Sequence, residues 1–172
     1  MVKKSSTELD EKDFEDLISD SEISKDYNLK LEEFIVLFFG FSPDNKIKGR
    51  TRFQKLIYLL NNRFNIFNKL KYFRYYYGPF SRVLESAVDN LKIFDYINEE
   101  IIYLDIHQTK YQINRKLSNK GLELFKNLKN ELTNNQIGAI KEMINYLENE
   151  NYYTKKLSYI LEIVYKMAGY KK

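Results

Sequence analysis

The sequence predicts a mostly α-helical fold of the α+β class, with a short β-hairpin and a C-terminal helical extension. Apolar residues recur at helical spacing in six stretches between residues 28 and 168. Aromatic and β-branched residues replace that spacing in three shorter stretches, which favours strands. The 172 residues, 44% of them hydrophobic and 16% aromatic, suffice for one domain with a substantial core.

Composition divides the chain into three predicted parts: an acidic leader at 1–27, a compact domain at 28–131 and a helical hairpin at 132–172. The leader is polar and is predicted to be partly disordered, although Phe14, Leu17 and Ile18 have the spacing of a short helix. Its charge is opposite to that of a later basic stretch. Two interpretations stay open: the leader covers that stretch and competes with a ligand, or it is a loose acidic tail.

The first two helices are predicted at about 28–39 and 51–62. In the first, Glu32 and Glu33 occupy the favourable first turn and Gly40 ends the helix. In the second, Arg52 and Lys55 share an outward face, and the loop FSPDNKIKGR precedes it. The inward residues are Leu31, Phe34, Ile35 and Phe38 in the first helix and Phe53, Leu56, Ile57 and Leu60 in the second.

A strand and a third helix are predicted next. The aromatic run at 71–77 loses the helical period and indicates a strand that ends at Gly78-Pro79. Ser81 is the expected N-cap of a helix that reaches about Phe94. The inward residues of this helix are Leu84, Ala87, Val88 and Leu91.

Two strands at about 101–106 and 109–114 are predicted to form a hairpin with its turn near His107-Gln108. Ser118 is the expected cap of a fourth helix, and two more helices follow between about 134 and 168, broken around 149–151. Thr154 is the expected cap of the last one. The apolar stripes of these two helices must pack on the core or on another subunit, and a homodimer through them is predicted.

Three helices followed by a hairpin is the element order of a winged helix-turn-helix core, in which the third helix enters the DNA major groove. The runs GRTRFQKLIYLL at 49–60, YYYGPFS at 75–81 and YQINRKLSNKGLELF at 111–125 resemble YwgA-like winged-helix proteins of bacteria and archaea. More distantly, QKLIYLL and YGPFS are similar to the Panacea (SocA-like) antitoxin domain. The resemblance covers about 30–130 and implies a regulator or an antitoxin-like binding module without catalytic residues. One departure is Phe94-Asp95-Tyr96, which stands where such proteins usually have a glycine before the hairpin.

Catalytic and metal chemistry find no support in the sequence. Cysteine is absent, and the single histidine, His107, cannot build a multi-histidine metal site and is interpreted as an exposed turn residue. The chain contains no Gly-rich phosphate loop, no HExxH and no GxSxG, so neither an enzyme nor a bound cofactor or metal is expected. No signal-peptide core and no apolar run of about 18 residues occurs, which predicts a cytoplasmic protein without membrane contact.

Charge is distributed unevenly, although the net charge is only +4. Residues 45–84 carry ten Lys and Arg and no Asp or Glu, whereas residues 1–44 carry five and twelve. Clustered cations favour a polyanion, here double-stranded DNA, and the alternative is an ordinary solvated basic face. The predicted nucleic-acid-binding residues are Lys46, Lys48, Arg50, Arg52, Lys55, Arg63, Arg74, Arg82, Ser86, Asn90 and Lys110.

The predicted function is a non-enzymatic DNA-binding protein, a transcriptional regulator. The third helix weighs against it, because its outward residues are electrically neutral and suit a protein surface equally well: Arg82, Glu85, Ser86, Asp89, Asn90 and Lys92. The alternative function is an antitoxin-like or other protein–protein interaction module. The aromatic run at 72–77 has the composition of a single-strand stacking platform, but such runs are more typical of core and sheet packing.

Overall fold

A computed structural model of the chain describes residues 29–67 and 70–170, which form an α+β fold. The predicted fold class is confirmed at this level, and the leader predicted at 1–27 lies outside the described residues. The α-helices of the described part are α1 (Leu31–Phe41), α2 (Arg50–Phe64), α3 (Arg82–Ile93), α4 (Asn119–Glu131), α5 (Asn134–Asn149) and α6 (Leu157–Met167). The strands are β1 (Lys46–Lys48), β2 (Phe73–Tyr75), β3 (Gly78–Phe80), β4 (Ile97–Tyr103) and β5 (Tyr111–Leu117).

Helix α1 is the centre of the hydrophobic core. It buries every residue from Phe34 to Phe39, more than the single face that the spacing predicts. A helix that is apolar on all sides is stable only when other elements surround it. Helices α3, α4 and α5 all pack on α1, and Phe38 and Phe39 also contact Phe53 of α2.

The two C-terminal helices pack on this body. Helix α5 buries Ile140, Met143, Ile144 and Leu147 against α1 and α2, and α6 packs on α2 and β3. Both apolar stripes pack at least in part within one chain, so their burial does not require a second subunit, and the homodimer through these helices stays a prediction. The predicted cap of the last helix is wrong, because α6 begins at Leu157 after Lys156 and Thr154 lies in the preceding turn.

Strands β1, β5 and β4 form one antiparallel sheet in that order. Tyr103 pairs with Tyr111 and Ile97 with Leu117, so β4 and β5 make a seven-pair hairpin, while Ile47 of β1 pairs with Arg115. Strand β1 lies in the stretch that was predicted to be a loop. The bounds of the hairpin strands lie two to four residues from the predicted bounds of 101–106 and 109–114, but the turn includes His107-Gln108 as expected.

A second hairpin replaces the single strand predicted at 71–77. Phe73 pairs with Phe80 and Tyr75 with Gly78, and Tyr76-Tyr77 form the turn. Gly78-Pro79 therefore lies inside β3 and does not end the strand. Gly78 has a φ of +85°, which only glycine adopts readily, and this conformation lets the chain reverse directly after the tyrosines.

The turn between α3 and β4 forms without the glycine that such proteins usually have before the hairpin. Asp95 adopts a left-handed φ of +59°, and the amide of Tyr96 donates a hydrogen bond to the carbonyl of Leu91 at 2.8 Å. This is the helix-ending geometry that glycine usually supplies. Aspartate is one of the residues that tolerate this conformation, so the departure in sequence preserves the turn.

Candidate binding cleft between the two hairpins

A cleft of about 740 Å³ lies between the two hairpins and the first turn of α2. Its walls come from elements that are far apart in sequence, because the packing of α2 on β1, β3 and β5 brings them together. Cations and tyrosines dominate the lining, with one carboxylate. These residues are Lys48, Arg50, Arg52 and Lys55, the rings Tyr75, Tyr77, Phe80 and Tyr111, and the acid Glu85.

The first turn of α2 forms the floor of the cleft. Gly49 is the N-cap with a φ of +95°, and no side chain caps this end of the helix. The first amide N–H groups of a helix lack partners within it and carry partial positive charge. With Arg50 and Arg52 in this turn and no acidic residue there, the floor is electropositive.

Arg52 holds the segment between α5 and α6 in place. Its Nη1 and Nη2 donate hydrogen bonds to the carbonyl oxygens of Tyr152 at 2.6 Å and Lys155 at 2.7 Å. Its Nε donates to the carbonyl of Lys48 at 3.2 Å. The outward face predicted for Arg52 is therefore occupied by the chain itself, and burial lowers the pKa of its guanidinium.

Lys55 points inward, so the outward face predicted for it is wrong. Its side chain is 2% exposed, and Nζ donates a hydrogen bond of 2.6 Å to the carbonyl of Pro79 in β3. Burial lowers the pKa of Lys55 to about 8, and no acidic group of the described residues offsets this effect. The cleft therefore contains a buried ammonium group without a carboxylate counter-ion.

Glu85 of α3 is the acidic group of the cleft, and two arginines bind it. Arg50 and the fully buried Arg115 both donate to its carboxylate, and Arg115 Nε also donates to Glu99 at 2.8 Å. Burial alone would raise the pKa of Glu85, but the hydrogen bonds and charges of the two arginines lower it to about 2. This network ties β4 and β5 to α3.

The low pKa of Glu85 predicts a loss of stability in acid. The ordinary pKa of 4.5 falls to about 2 in the folded chain, so the charged carboxylate stabilises the fold fully above about pH 4.5. That contribution disappears as the pH falls from about 4.5 towards 2. The urea midpoint of the wild type is expected to fall more steeply over this window than that of Glu85→Gln. Equal slopes for the two proteins would contradict the assignment.

One face of the β4–β5 hairpin is buried near the body of the protein and exposed towards the hairpin tip. Near the body its odd-numbered residues are buried, as with Ile97 and Leu117, because they face the core. Farther along, the same face extends past the body and carries an exposed apolar ladder. We call the ladder the apolar wall: Ile101 (53% exposed), Tyr103 (51%), Tyr111 (59%) and Ile113, with Tyr111 and Ile113 lining the cleft.

The opposite face of the hairpin is polar near the body, and farther along it carries the exposed Ile102 opposite Gln112. Glu100 forms an ion pair of 2.8 Å with Lys46 of β1, and Gln112 donates a hydrogen bond of 2.6 Å to Asn114. Near the body the hairpin thus follows the in–out alternation of a sheet that packs one face on apolar groups, and beyond the body both of its faces carry apolar residues. The apolar wall is the part of that inward face which the described chain does not cover.

Of the other predicted nucleic-acid-binding residues, Lys48 lines the cleft and the rest lie elsewhere. Arg63 lies near the far end of α2, where its guanidinium stacks 4.6 Å from the ring centre of Tyr146. Arg74 and Arg82 are exposed and lie over the rings of Tyr170 and Phe73. On α3, Ser86 and Asn90 are half-buried, and Asn90 Nδ2 donates to Glu32 at 3.4 Å. Lys110 is exposed near the tip of the β4–β5 hairpin and Lys48 at the cleft.

The single positive band expected from the basic stretch does not form. Its residues separate into a group in the cleft, Lys46 paired with Glu100 of β4, and side chains scattered over aromatic rings. Sequence reasoning also missed Tyr77, Tyr111 and Ile113 as residues of the cleft. The alternation YQINR in β5 carries a signal for one apolar face, but only the structure shows that this face extends past the core.

Residues 29–67 and 70–170 contain neither a metal site nor a membrane-spanning helix. No three His, Asp or Glu side chains there are placed to hold a metal ion. In the same residues, no helix combines the length and the apolar character that crossing a bilayer requires.

No protein-family model, curated protein or solved structure matches the chain. The winged-helix resemblance carried by residues 30–130 therefore stays a prediction.

Proposed function

We propose that this chain is a non-enzymatic winged-helix protein whose function is to bind a protein partner. The element order supports the winged-helix assignment: α1, β1, α2, α3 and then the β4–β5 hairpin, with β1 joining the hairpin sheet. In this interpretation β4 and β5 are the wing and α3 is the third helix of the helix-turn-helix core. The β2–β3 hairpin is an insertion between the second and third helices.

The apolar wall is the observation that carries the choice of a protein partner. A wing that follows a DNA backbone needs cations along its exposed face, whereas this wing presents isoleucine and tyrosine there. At the hairpin tip, Leu104 is 62% and Ile106 91% exposed, which extends the apolar surface. Contiguous exposed apolar surface of this kind marks interaction sites in soluble proteins.

Four of the predicted basic residues support the same choice because they contact groups of the chain itself or are buried. Lys46 and Arg50 pair with carboxylates, Arg52 binds two backbone carbonyls and Lys55 is buried. A phosphate would have to compete with each of these contacts. Residues that bind the chain's own groups contribute little to non-specific DNA affinity, which depends on free cations.

A photo-crosslinking experiment tests the proposal. With p-benzoylphenylalanine in place of Tyr103, irradiation of the cells that make the protein is expected to give one discrete protein adduct, identified by mass spectrometry. The matched control carries the same group in place of Tyr159, which is 45% exposed on α6, and is expected to give no such adduct. Identical patterns from the two positions would contradict a partner at the apolar wall.

Double-stranded DNA is the second candidate, and one observation favours it. Lys48 on β1, Lys110 near the hairpin tip and Arg82 on α3 are exposed, and they form no ion pair with another described residue. Binding to DNA would appear as duplex affinity that falls with salt by a slope of about −0.9 for each phosphate neutralised. Nucleic-acid adducts at Tyr103, together with such a slope, would select this candidate over a protein partner.

A further inference from the structure

The cleft next to the apolar wall is lined mainly by cations among its charged residues, and this charge indicates the chemistry of the partner. Four of its lining side chains are cations, Lys48, Arg50, Arg52 and Lys55, and one is a carboxylate, Glu85, which gives 4 − 1 = +3. The first-turn amides of α2 add to this potential. Lys48 is exposed, and Lys55 is buried without a carboxylate counter-ion among residues 29–67 and 70–170. Arg50 and Arg52 keep their contacts within the chain and Lys55 is buried, so these three act on an occupant through the electrostatic potential of the cleft. The exposed Lys48 is the cation that a carboxylate of the occupant contacts directly.

Tyrosines define the second requirement on the occupant. Tyr75 and Tyr77 stand on the β2–β3 hairpin and Tyr111 on the wing, and all three line the cleft while remaining more than half exposed. Exposed rings on two walls offer faces and edges to aromatic and apolar side chains, and their hydroxyls offer hydrogen bonds. The occupant therefore combines acidic groups with rings or apolar side chains.

We infer that the cleft binds an extended segment of the protein partner that is both acidic and aromatic. This inference rests on the proposed function and specifies the partner at the same site. An extended backbone sends alternate side chains to opposite faces, so carboxylates can reach the floor formed by α2 while rings contact the tyrosines and the apolar wall. A nucleic-acid strand would satisfy the floor but not the aliphatic part of the wall, Ile101 and Ile113, which offers no hydrogen bonds.

A defined polymer serves as the probe. Fluorescently labelled copolymer of glutamate and tyrosine, at a ratio of about four to one, is titrated with the full chain and followed by fluorescence anisotropy. It is expected to bind about tenfold more tightly than polyglutamate of equal length and than oligothymidylate. If polyglutamate binds as tightly as the copolymer, negative charge alone accounts for the affinity. If oligothymidylate binds more tightly than the copolymer, the cleft favours nucleic acid. Either result overturns the inference.

Matched variants in one turn test the role of the rings. Tyr77 lines the cleft and is 59% exposed, whereas its neighbour Tyr76 is 82% exposed and does not line it. Tyr77→Ser is expected to weaken copolymer binding about three- to tenfold, and Tyr76→Ser less than about twofold. Both side chains are more than half exposed, so thermal melting of both variants is expected to match the wild type. Equal losses in the two variants would contradict a defined cleft.

Matched lysines test the charge. Lys48 lines the cleft and Lys116 lies exposed on β5 outside it. Lys48→Gln is expected to weaken binding about three- to tenfold and Lys116→Gln to leave it within about twofold. If the copolymer fails to bind while Tyr103 still crosslinks to a protein, the acidic-segment inference is wrong and the proposed function stands. If both fail, both are wrong.

Discussion

Arg115→Ala is expected to lower the free energy of unfolding by about 3 kcal/mol. Arg115 is fully buried between Glu85 and Glu99, and its guanidinium also lies 5.7 Å from the ring centre of Phe53. Removing one partner of a buried ion pair typically costs about 3–5 kcal/mol, because the remaining charge is left without compensation. Here Arg50 and Lys92 still pair with the two carboxylates, which places the loss at the lower end. Urea unfolding followed by circular dichroism measures it.

The control for this prediction uses the other arginine on the same carboxylate. Arg50 also bonds Glu85 but its side chain is 47% exposed, whereas that of Arg115 is 1% exposed. Solvent screens an exposed pair, so Arg50→Ala is expected to cost less than about 1 kcal/mol. Comparable losses in the two variants would mean that burial does not set the strength of this network.

The network also connects stability to the cleft. Arg115 lies on the odd-numbered face of β5, in line with Ile113 and Tyr111, and its carboxylate partners belong to α3 and β4. The contacts that anchor the β4–β5 hairpin to the body are therefore the same contacts that position the apolar wall next to the cleft. A variant that loosens this anchor is expected to lose affinity for the partner even though Arg115 itself does not line the cleft.

Helical periodicity was enough to predict most of the helical framework. The spacing of Leu84, Val88 and Leu91 placed α3 within about one residue of each observed end. Ser81 and Ser118 cap α3 and α4 as expected, with their hydroxyls accepting from the amides of Leu84 and Gly121. These features are local, because each depends on residues within one or two turns of the same helix.

The strands were harder to place because their pairing is not local. β1 is only three residues long and polar at both ends, and it forms a strand because β5 supplies partners about seventy residues later. In β2–β3 the turn is Tyr76-Tyr77, which lacks the glycine or asparagine that marks a hairpin in sequence. For β4, the charged residues Glu99 and Glu100 obscured a strand that begins at Ile97.

The cleft was the least predictable feature for a related physical reason. The helical pattern placed Arg52 and Lys55 on an outward face because charged side chains are usually solvated. The observed partners, the carbonyls of Tyr152, Lys155 and Pro79, are backbone groups of segments 24 to 103 residues away. Side-chain identity carries no information about a remote carbonyl, so no spacing rule could have assigned these contacts.

Arg52→Ala is expected to lower the free energy of unfolding by about 2–4 kcal/mol and to weaken binding in the cleft. The guanidinium joins α2 to the segment between α5 and α6 through two hydrogen bonds of 2.6 and 2.7 Å. A hydrogen bond with a charged partner contributes about 1.5–3 kcal/mol, and water will replace part of this at the half-buried carbonyls. Urea unfolding measures the lower free energy of unfolding, and hydrogen exchange is expected to become faster at the amides of residues 150–156.

Arg52→Lys separates the geometry of the guanidinium from its charge. Lysine keeps the positive charge, but its charge and its hydrogen-bond donors are on one nitrogen atom. It can therefore bond one of the two carbonyls, whereas the two terminal nitrogens of the guanidinium bond both at once. About half of the stability lost in Arg52→Ala is therefore expected to return, and the exchange protection at 150–156 to stay reduced. Arg63→Ala removes an exposed cation over Tyr146 at the other end of α2 and is expected to cost less than about 1 kcal/mol. Full rescue by lysine, or an equal loss in Arg63→Ala, would show that charge and not the paired hydrogen bonds holds the C-terminal segment against the floor of the cleft.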